Sequence, residues 1–207
     1  MKKTILYIAA SLDGYIARLD GSVDWLPAPV IGGEDYGYAA FLETVDTLVM
    51  GRKSYEQTLT FGTWPYGGRR CVVFSGTRGG QRDTQAEFVD GDIAACVREL
   101  KAEPGDGVIW LFGGAEVAAA CLAGDVVDEI ILTTVPLLLG EGIRLFPETR
   151  WQTPLRLLES RAFDDGLVQQ RYACAMWSAT EPKVMRTTST DLKPARRISE
   201  LMASCPG

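Results

Sequence analysis

Short apolar runs recur along the chain, each closed by glycine or a turn residue, with helically spaced segments between them. Residues 4–10 (Thr-Ile-Leu-Tyr-Ile-Ala-Ala) are continuously apolar, the pattern of a strand buried on both faces. Residues 11–33 follow as a long loop, interrupted by Gly14, Gly21, Pro27, Pro29 and Gly32-Gly33. Tyr38, Phe41, Leu42 and Val45 recur at helical spacing and predict a helix over 34–45. Residues 47–50 predict a second strand, and 53–59 a short helix begun directly after Gly51-Arg52. A third strand at 70–74 closes on Ser75-Gly76, and a short one is expected at 87–89. Asp92 stands where an N-cap belongs, ahead of Ile93, Val97 and Leu100 on one helical face. Residues 108–112 predict another buried strand, Gly113-Gly114 opens a helix over 115–122, and 129–136 is a further strand. Residues 155–163 and 167–177 pair as a hairpin around Asp164-Asp165-Gly166, since Asp-Gly accommodates the positive φ of a tight turn.

Strands alternating with helices predict an α/β fold of three layers, a mostly parallel central sheet with helices on both faces. The closing hairpin adds antiparallel strands. Residues 1–177 form one domain in this reading. From Ser178 the pattern gives way to Thr, Ser, Pro and basic residues, so 178–207 is expected to be a polar extension. Ile198, Leu201 and Met202 mark one short helix within it.

Composition narrows the chemistry. Hydrophobic residues at 46% and charged ones at 23% are those of a soluble globular protein. A net charge of −6 argues against general affinity for nucleic acid or an anionic membrane, so an anionic ligand needs local positive groups. The first apolar run is too short to span a bilayer, which points to a cytoplasmic protein. The five cysteines are scattered without a CxxC pair, as free thiols would be. Histidine is absent. Imidazole triads and histidine metal sites are thereby excluded, no metal is expected, and proton transfer is left to carboxylate, Tyr, Lys, Cys or water.

Three strand ends carry groups suited to phosphate. Gly113-Gly114 lies between a buried strand and a helix, where a ligand can approach backbone N–H groups, although Gly-Gly also serves as a plain turn. It lacks the spacing of GxGxxG, so a Rossmann fold is not supported. Met50-Gly51 leads into Arg52, Lys53 and Ser54, two cations at a helix start that the dipole disfavours unless an anion binds. A solvated basic pair is the plain alternative. Ser75-Gly76-Thr77-Arg78 adds hydroxyls and a further cation.

In this order the motifs resemble the dihydrofolate reductase superfamily, especially the branch related to the reductase of bacterial riboflavin biosynthesis. The similarity is carried by Thr-Leu-Val-Met-Gly-Arg-Lys-Ser-Tyr-Glu at 47–56, Gly-Arg-Arg-Cys-Val-Val-Phe-Ser at 68–75 and Ile-Trp-Leu-Phe-Gly-Gly-Ala-Glu-Val at 109–117. Glu-Ile-Ile-Leu-Thr-Thr at 129–134 and Glu-Gly-Ile-Arg-Leu-Phe-Pro at 141–147 continue it. Ser-Leu-Asp-Gly-Tyr-Ile-Ala at 11–17 is similar to the opening loop of the riboflavin branch.

The resemblance implies NADPH as hydride donor and a homodimer. It implies that Gly113-Gly114, with Phe112 before it, is a cis peptide facing the cofactor, and that Ala115, Glu116 and Val117 supply N–H groups. Met50, Gly51, Arg52, Lys53 and Ser54 would hold phosphates, with Arg52 nearest the adenosine 2′-phosphate. Ser75 and Thr77 would flank the adenosine, and Ala10, Ile16 and Ala17 would line the nicotinamide site.

A reduced C=N bond also needs a proton. By the resemblance Asp35, 16 residues before Gly51, takes the place of the superfamily's helix acid, with Thr133 its partner. A first-turn helix role is equally open to Asp35. Asp13 competes for the proton role, against ordinary Asp-Gly turn chemistry. Trp25 and Trp64 are candidate pocket walls, or core aromatics, and Arg69 a candidate contact for an anionic substrate, or an exposed cation before a strand. The activity expected is reduction of a pterin, pyrimidine or related heterocycle. Within it stand a lone reductase for the ribosylamino-pyrimidine precursor of riboflavin and a dihydrofolate reductase. A bifunctional riboflavin enzyme is excluded, since neither HxE nor PCxxC occurs. A nucleotide-binding protein without turnover is the other class.

Overall fold

The computed structural model describes residues 1–27, 33–147 and 152–174. The expected extension 178–207, its short helix, Cys205 and the end of the last strand lie outside these residues.

An eight-stranded sheet runs through the described residues in the order β5-β4-β3-β6-β1-β7-β10-β9. β1 (Thr4–Ser11) lies parallel between β6 (Val108–Gly113) and β7 (Glu129–Val135). β3 (Val45–Gly51) joins β6 to β4 (Arg70–Phe74), and β5 (Glu87–Val89) closes that edge, all parallel. The hairpin of β9 (Leu155–Ala162) and β10 (Val168–Cys174) is antiparallel, with β10 against β7. The sheet is thus mostly parallel, and it ends in the antiparallel hairpin that Asp164-Asp165-Gly166 predicts, Gly166 sitting at φ 86°.

Helices cover both faces. α1 (Tyr38–Thr44) and α2 (Arg52–Thr60) pack on one, where Leu48, Met50, Tyr55 and Trp110 form the core. α3 (Ile93–Ala102) and α4 (Ala115–Ala123) cover the other with Val97, Leu100, Val117 and Cys121 on Leu6, Val49, Ile109 and Leu111. Those last four are fully buried, each contributing about 1.5–3 kcal/mol. Asp92 caps α3, its carboxylate accepting the Ala95 N–H at 3.0 Å, worth ~1 kcal/mol.

Two expectations change. The first helix starts at Tyr38 and not at residue 34, because Gly37 takes a left-handed φ of 77° ahead of it. The long loop also contains a strand, β2 (Tyr15–Ala17), which pairs with β8 (Ile143–Arg144) in a separate ribbon. Gly142 makes that ribbon possible: a Cβ there would lie 2.3 Å from the Ala17 carbonyl oxygen. Two and three residues are too few for alternation to register.

Candidate active site

Because β1, β3, β4, β6 and β7 run parallel, their carboxyl ends share one edge, where open α/β sheets bind ligands. Register aligns the expected phosphate motifs there: Gly51 pairs with Phe74, next to Ser75, and Met50 with Gly113. Gly51 is the N-cap of α2 and Gly114 that of α4, and neither cap supplies a side-chain hydrogen bond. The two helix starts face each other closely. A methyl group at Gly51 would meet Val117 Cγ2 at 3.4 Å, and one at Gly114 would meet Ser54 Oγ at 3.5 Å. Gly113-Gly114 is a cis peptide. The result is a narrow cleft with two positive dipole ends.

The flanking groups suit an anion. α2 has no acidic residue in its first turn, where Arg52, Lys53 and Ser54 stand. Arg52 Nη1 donates to both Glu56 oxygens at 2.8 and 2.9 Å. An exposed pair of this kind is worth only ~0.2–1 kcal/mol, so a phosphate can displace it. Ser75 is buried and its hydroxyl accepts the Arg78 N–H at 3.2 Å, with the Thr77 hydroxyl 3.4 Å away. Ala10 and Ala17 are buried and Ile16 half-buried on the β1–β2 side. Met50 is wholly buried, and half-buried Phe112 packs tilted against Trp110 and edge-on to Tyr66. In α4, Ala115 and Val117 bring N–H groups, while Glu116 adds an exposed carboxylate to the first turn. The loop after β2 reaches across the end of β6, since Gln57 Nε2 of α2 donates to the Gly21 carbonyl at 2.6 Å.

The candidate carboxyls behave differently from proton donors. Asp13 accepts the Ser11 hydroxyl at 2.6 Å and the N–H groups of Leu139 and Gly140 at 3.0 and 2.8 Å. These bonds hold its carboxyl down at about 2. It clamps the β1–β2 turn to the loop after β7. Asp35 lies on the exposed approach to α1 and accepts the N–H groups of Gly37 at 2.9 Å and Ala39 at 3.1 Å. The same bonds lower its pKa, so both carboxyls stay ionised at neutral pH. Thr133, buried on β7, is bonded not to Asp35 but to Gln169 of β10, at 3.1 Å.

Gln169 belongs to a groove of about 450 Å³ beneath α1. Ile5, Tyr7 and Ile131 form its floor, Gly37 and Phe41 its α1 wall, and Arg161 and Arg171 its hairpin wall. Burial raises the Tyr7 pKa. Of the expected substrate contacts, Trp64 and Arg69 take structural positions. Trp64 packs into the core, 5.4 Å from Tyr55 and 5.2 Å from Tyr66 between ring centres. Arg69 donates to the Leu42 and Val45 carbonyls at 2.8 and 3.1 Å, securing the end of α1 near the start of β4, at the opposite edge of the sheet from the glycines. Trp25 is half-buried in the loop after β2, its indole N–H buried without a partner among the described residues. Sequence reasoning missed Tyr7 and Gln169. The one signal was polar Gln169 alternating onto the β7-facing strand, with Arg171 on the same side.

Comparison with known proteins agrees with this geometry. The model of the RibD C-terminal domain family matches residues 2–169. An uncharacterized protein of Bacillus subtilis (strain 168), YwjB, is 41% identical over 175 residues, covering 84% of this chain and 99% of that protein. The crystal structure of a putative riboflavin biosynthesis protein from Shewanella sp. PV-4 superposes with a TM-score of 0.75 at 32% identity, over 84% of this chain and 99% of that one. Dihydrofolate reductase from Enterococcus faecalis, solved with NADP(H), superposes with a TM-score of 0.60 over 83% of this chain and 95% of that one. At 18% identity that likeness is one of fold. Among the described residues no helix is long and apolar enough to cross a membrane.

Proposed function

We propose that this chain, which belongs to the RibD C-terminal domain family, is an NADPH-dependent reductase acting on a pterin, pyrimidine or related heterocycle. The observation that carries the reading is the pair of glycine-capped helix starts, on adjacent parallel strands, facing one cleft. The residues fit a dinucleotide. The space over Gly51 and Gly114 is free of side chains closer than 3.4 Å, and α2 presents cations without a first-turn carboxylate. Ala115, Glu116 and Val117 would hold the pyrophosphate through N–H groups, and Arg52, Ser75 and Thr77 the adenosine 2′-phosphate end. Ala10, Ile16 and Ala17 would border the nicotinamide, which supplies a hydride when bound. The groove beneath α1 would take the heterocycle. With Asp13 and Asp35 ionised, the accompanying proton would come from solvent at the groove, where Tyr7 and Thr133 carry neutral hydroxyls.

NADPH oxidation, followed at the absorbance of the reduced nicotinamide across a panel of pterins and pyrimidines, tests this. NADPH is expected to bind more tightly than NADH and to be oxidised with at least one ring. Absence of NADPH binding in a titration would sink the reading. The hydrogen bonds that occupy both carboxylates favour a second one, a protein that binds the dinucleotide without turnover. Tight binding with no oxidation across the panel would select it. A homodimer accompanies the first reading, and sedimentation of a monomer alone at working concentration would count against it.

A further inference from the structure

The inner end of the groove is a polar cluster built without a carboxylate. Gln169 directs its amide nitrogen at three oxygens: Thr133 Oγ1 at 3.1 Å, the Tyr36 carbonyl at 3.2 Å and Tyr7 Oη at 3.3 Å. An amide nitrogen has two protons, so this one is fully used. Its carbonyl oxygen has no hydrogen-bond partner among the described residues, and Gln169 lines the groove. That oxygen is therefore free to accept a hydrogen bond from a bound ring.

Three carboxylates around the groove are engaged elsewhere. Asp35 faces the N–H groups of Gly37 and Ala39. Glu129 is buried between Lys3 at 2.9 Å and Arg171 at 2.6 Å. Asp165 takes the Tyr36 hydroxyl. On the groove's hairpin wall Arg161 pairs with Glu34 at 3.3 Å and Arg171 with Glu129, and Glu159 lines the same wall opposite Arg171 in the strand register.

We propose that Gln169 determines which heterocycles the groove accepts, its carbonyl oxygen receiving the N–H of a neutral lactam edge and the cluster disfavouring a protonated amidinium edge. A cationic edge needs an opposing carboxylate, as in bidentate pairs, and here it would meet an amide. This deepens the reductase reading and rests on it. Gln169 thus offers the ring a neutral group from a β-strand, where Asp35 was expected to offer a proton from the first helix.

The test uses a matched pair, pterin and 2,4-diaminopteridine, titrated by fluorescence into the full chain saturated with NADP+. The wild type is expected to bind pterin about tenfold more tightly than the diamino ring, since one well-placed hydrogen bond carries roughly that factor. Gln169→Leu should weaken pterin by roughly tenfold and bring the two rings level. Gln169→Glu should reverse the preference. NADP+ affinity and Tm report on folding, and a merely structural role would weaken both rings together without inverting their order. If NADP+ titrates and Gln169→Glu leaves the ratio unchanged, the role of Gln169 is overturned and the reductase reading stands. Preference of the wild type for the diamino ring, or binding of neither ring, overturns the proposal as well. Absence of NADP+ binding removes the reading beneath it.

Discussion

The glycine edge and the groove beneath α1 present polar groups by different means. At the edge, Gly51 and Gly114 leave backbone N–H groups facing a cleft, and the cations beside them stand on the surface. In the groove the contacts centre on one side chain, the Gln169 amide, which reaches the Thr133 and Tyr7 hydroxyls and the Tyr36 carbonyl. A backbone site is fixed once the strands are in register, and it tolerates change in almost anything except the glycines. A side-chain site can be retuned one residue at a time. On the proposed reading, the glycine edge would serve as a general dinucleotide site and the groove as one whose specificity single substitutions can change.

The sharpest way to break that contrast is to put a side chain into the cleft. Gly51 has an ordinary φ of −80°, so Gly51→Val strains no left-handed backbone, yet its Cβ would already touch Val117 at 3.4 Å. The branched methyls would fill the space a phosphate needs. NADPH affinity is expected to fall by about 100-fold or more, while Tm changes by only a few degrees. Calorimetric titration with a parallel melt separates the two. Unchanged affinity would mean that the cofactor does not use this edge.

Arg52→Ala comes next. Losing the guanidinium should weaken NADPH by roughly tenfold, the value of one charge-assisted contact, and leave NADH unaffected. Glu56→Gln should act in the opposite direction by about two- to threefold, since it frees Arg52 from a weak exposed pair. Titration of both nucleotides into both variants decides it. Equal losses for NADPH and NADH would remove Arg52 from the 2′-phosphate.

The same contrast explains what was legible in the chain. The glycine edge is encoded locally: each strand end and the helix start after it lie within a few residues, so Met50-Gly51-Arg52 and Gly113-Gly114 could be read directly. Their convergence required only the rule that parallel strands end on one edge. The groove is encoded at long range. Gln169 meets Thr133 across 36 positions and Tyr36 across 133, and no local pattern announces such pairs. Arg69 and Trp64 were ambiguous for the same reason. Each has the right residue type for a pocket, but its partners, the α1 carbonyls and the tyrosines 55 and 66, are set by packing. Asp35 was displaced by a local event, the left-handed turn at Gly37 that delays α1 and leaves its carboxylate capping the helix.

The smallest effect is expected at Asp13, where the clamp and the proton donor make opposite predictions. Three bonds join its carboxylate to Ser11, Leu139 and Gly140, all of them structural partners. Its folded pKa of about 2 lies below the ~3.9 of an unfolded aspartate. A depressed carboxyl contributes stability that is present above the unfolded value and is lost as pH falls from about 4 through 2. Asp13→Asn should therefore lower Tm at pH 7, and the gap from wild type should close as the pH approaches 2. Turnover, measured with whichever ring proves to be reduced, should change by no more than about threefold, with the same pH profile as wild type. A proton donor would behave otherwise, since losing one costs about 100- to 10,000-fold in rate. A loss of that size with an unchanged melting curve would move Asp13 from the scaffold into the chemistry. It would also make the groove's neutral cluster an adjunct to a charged one.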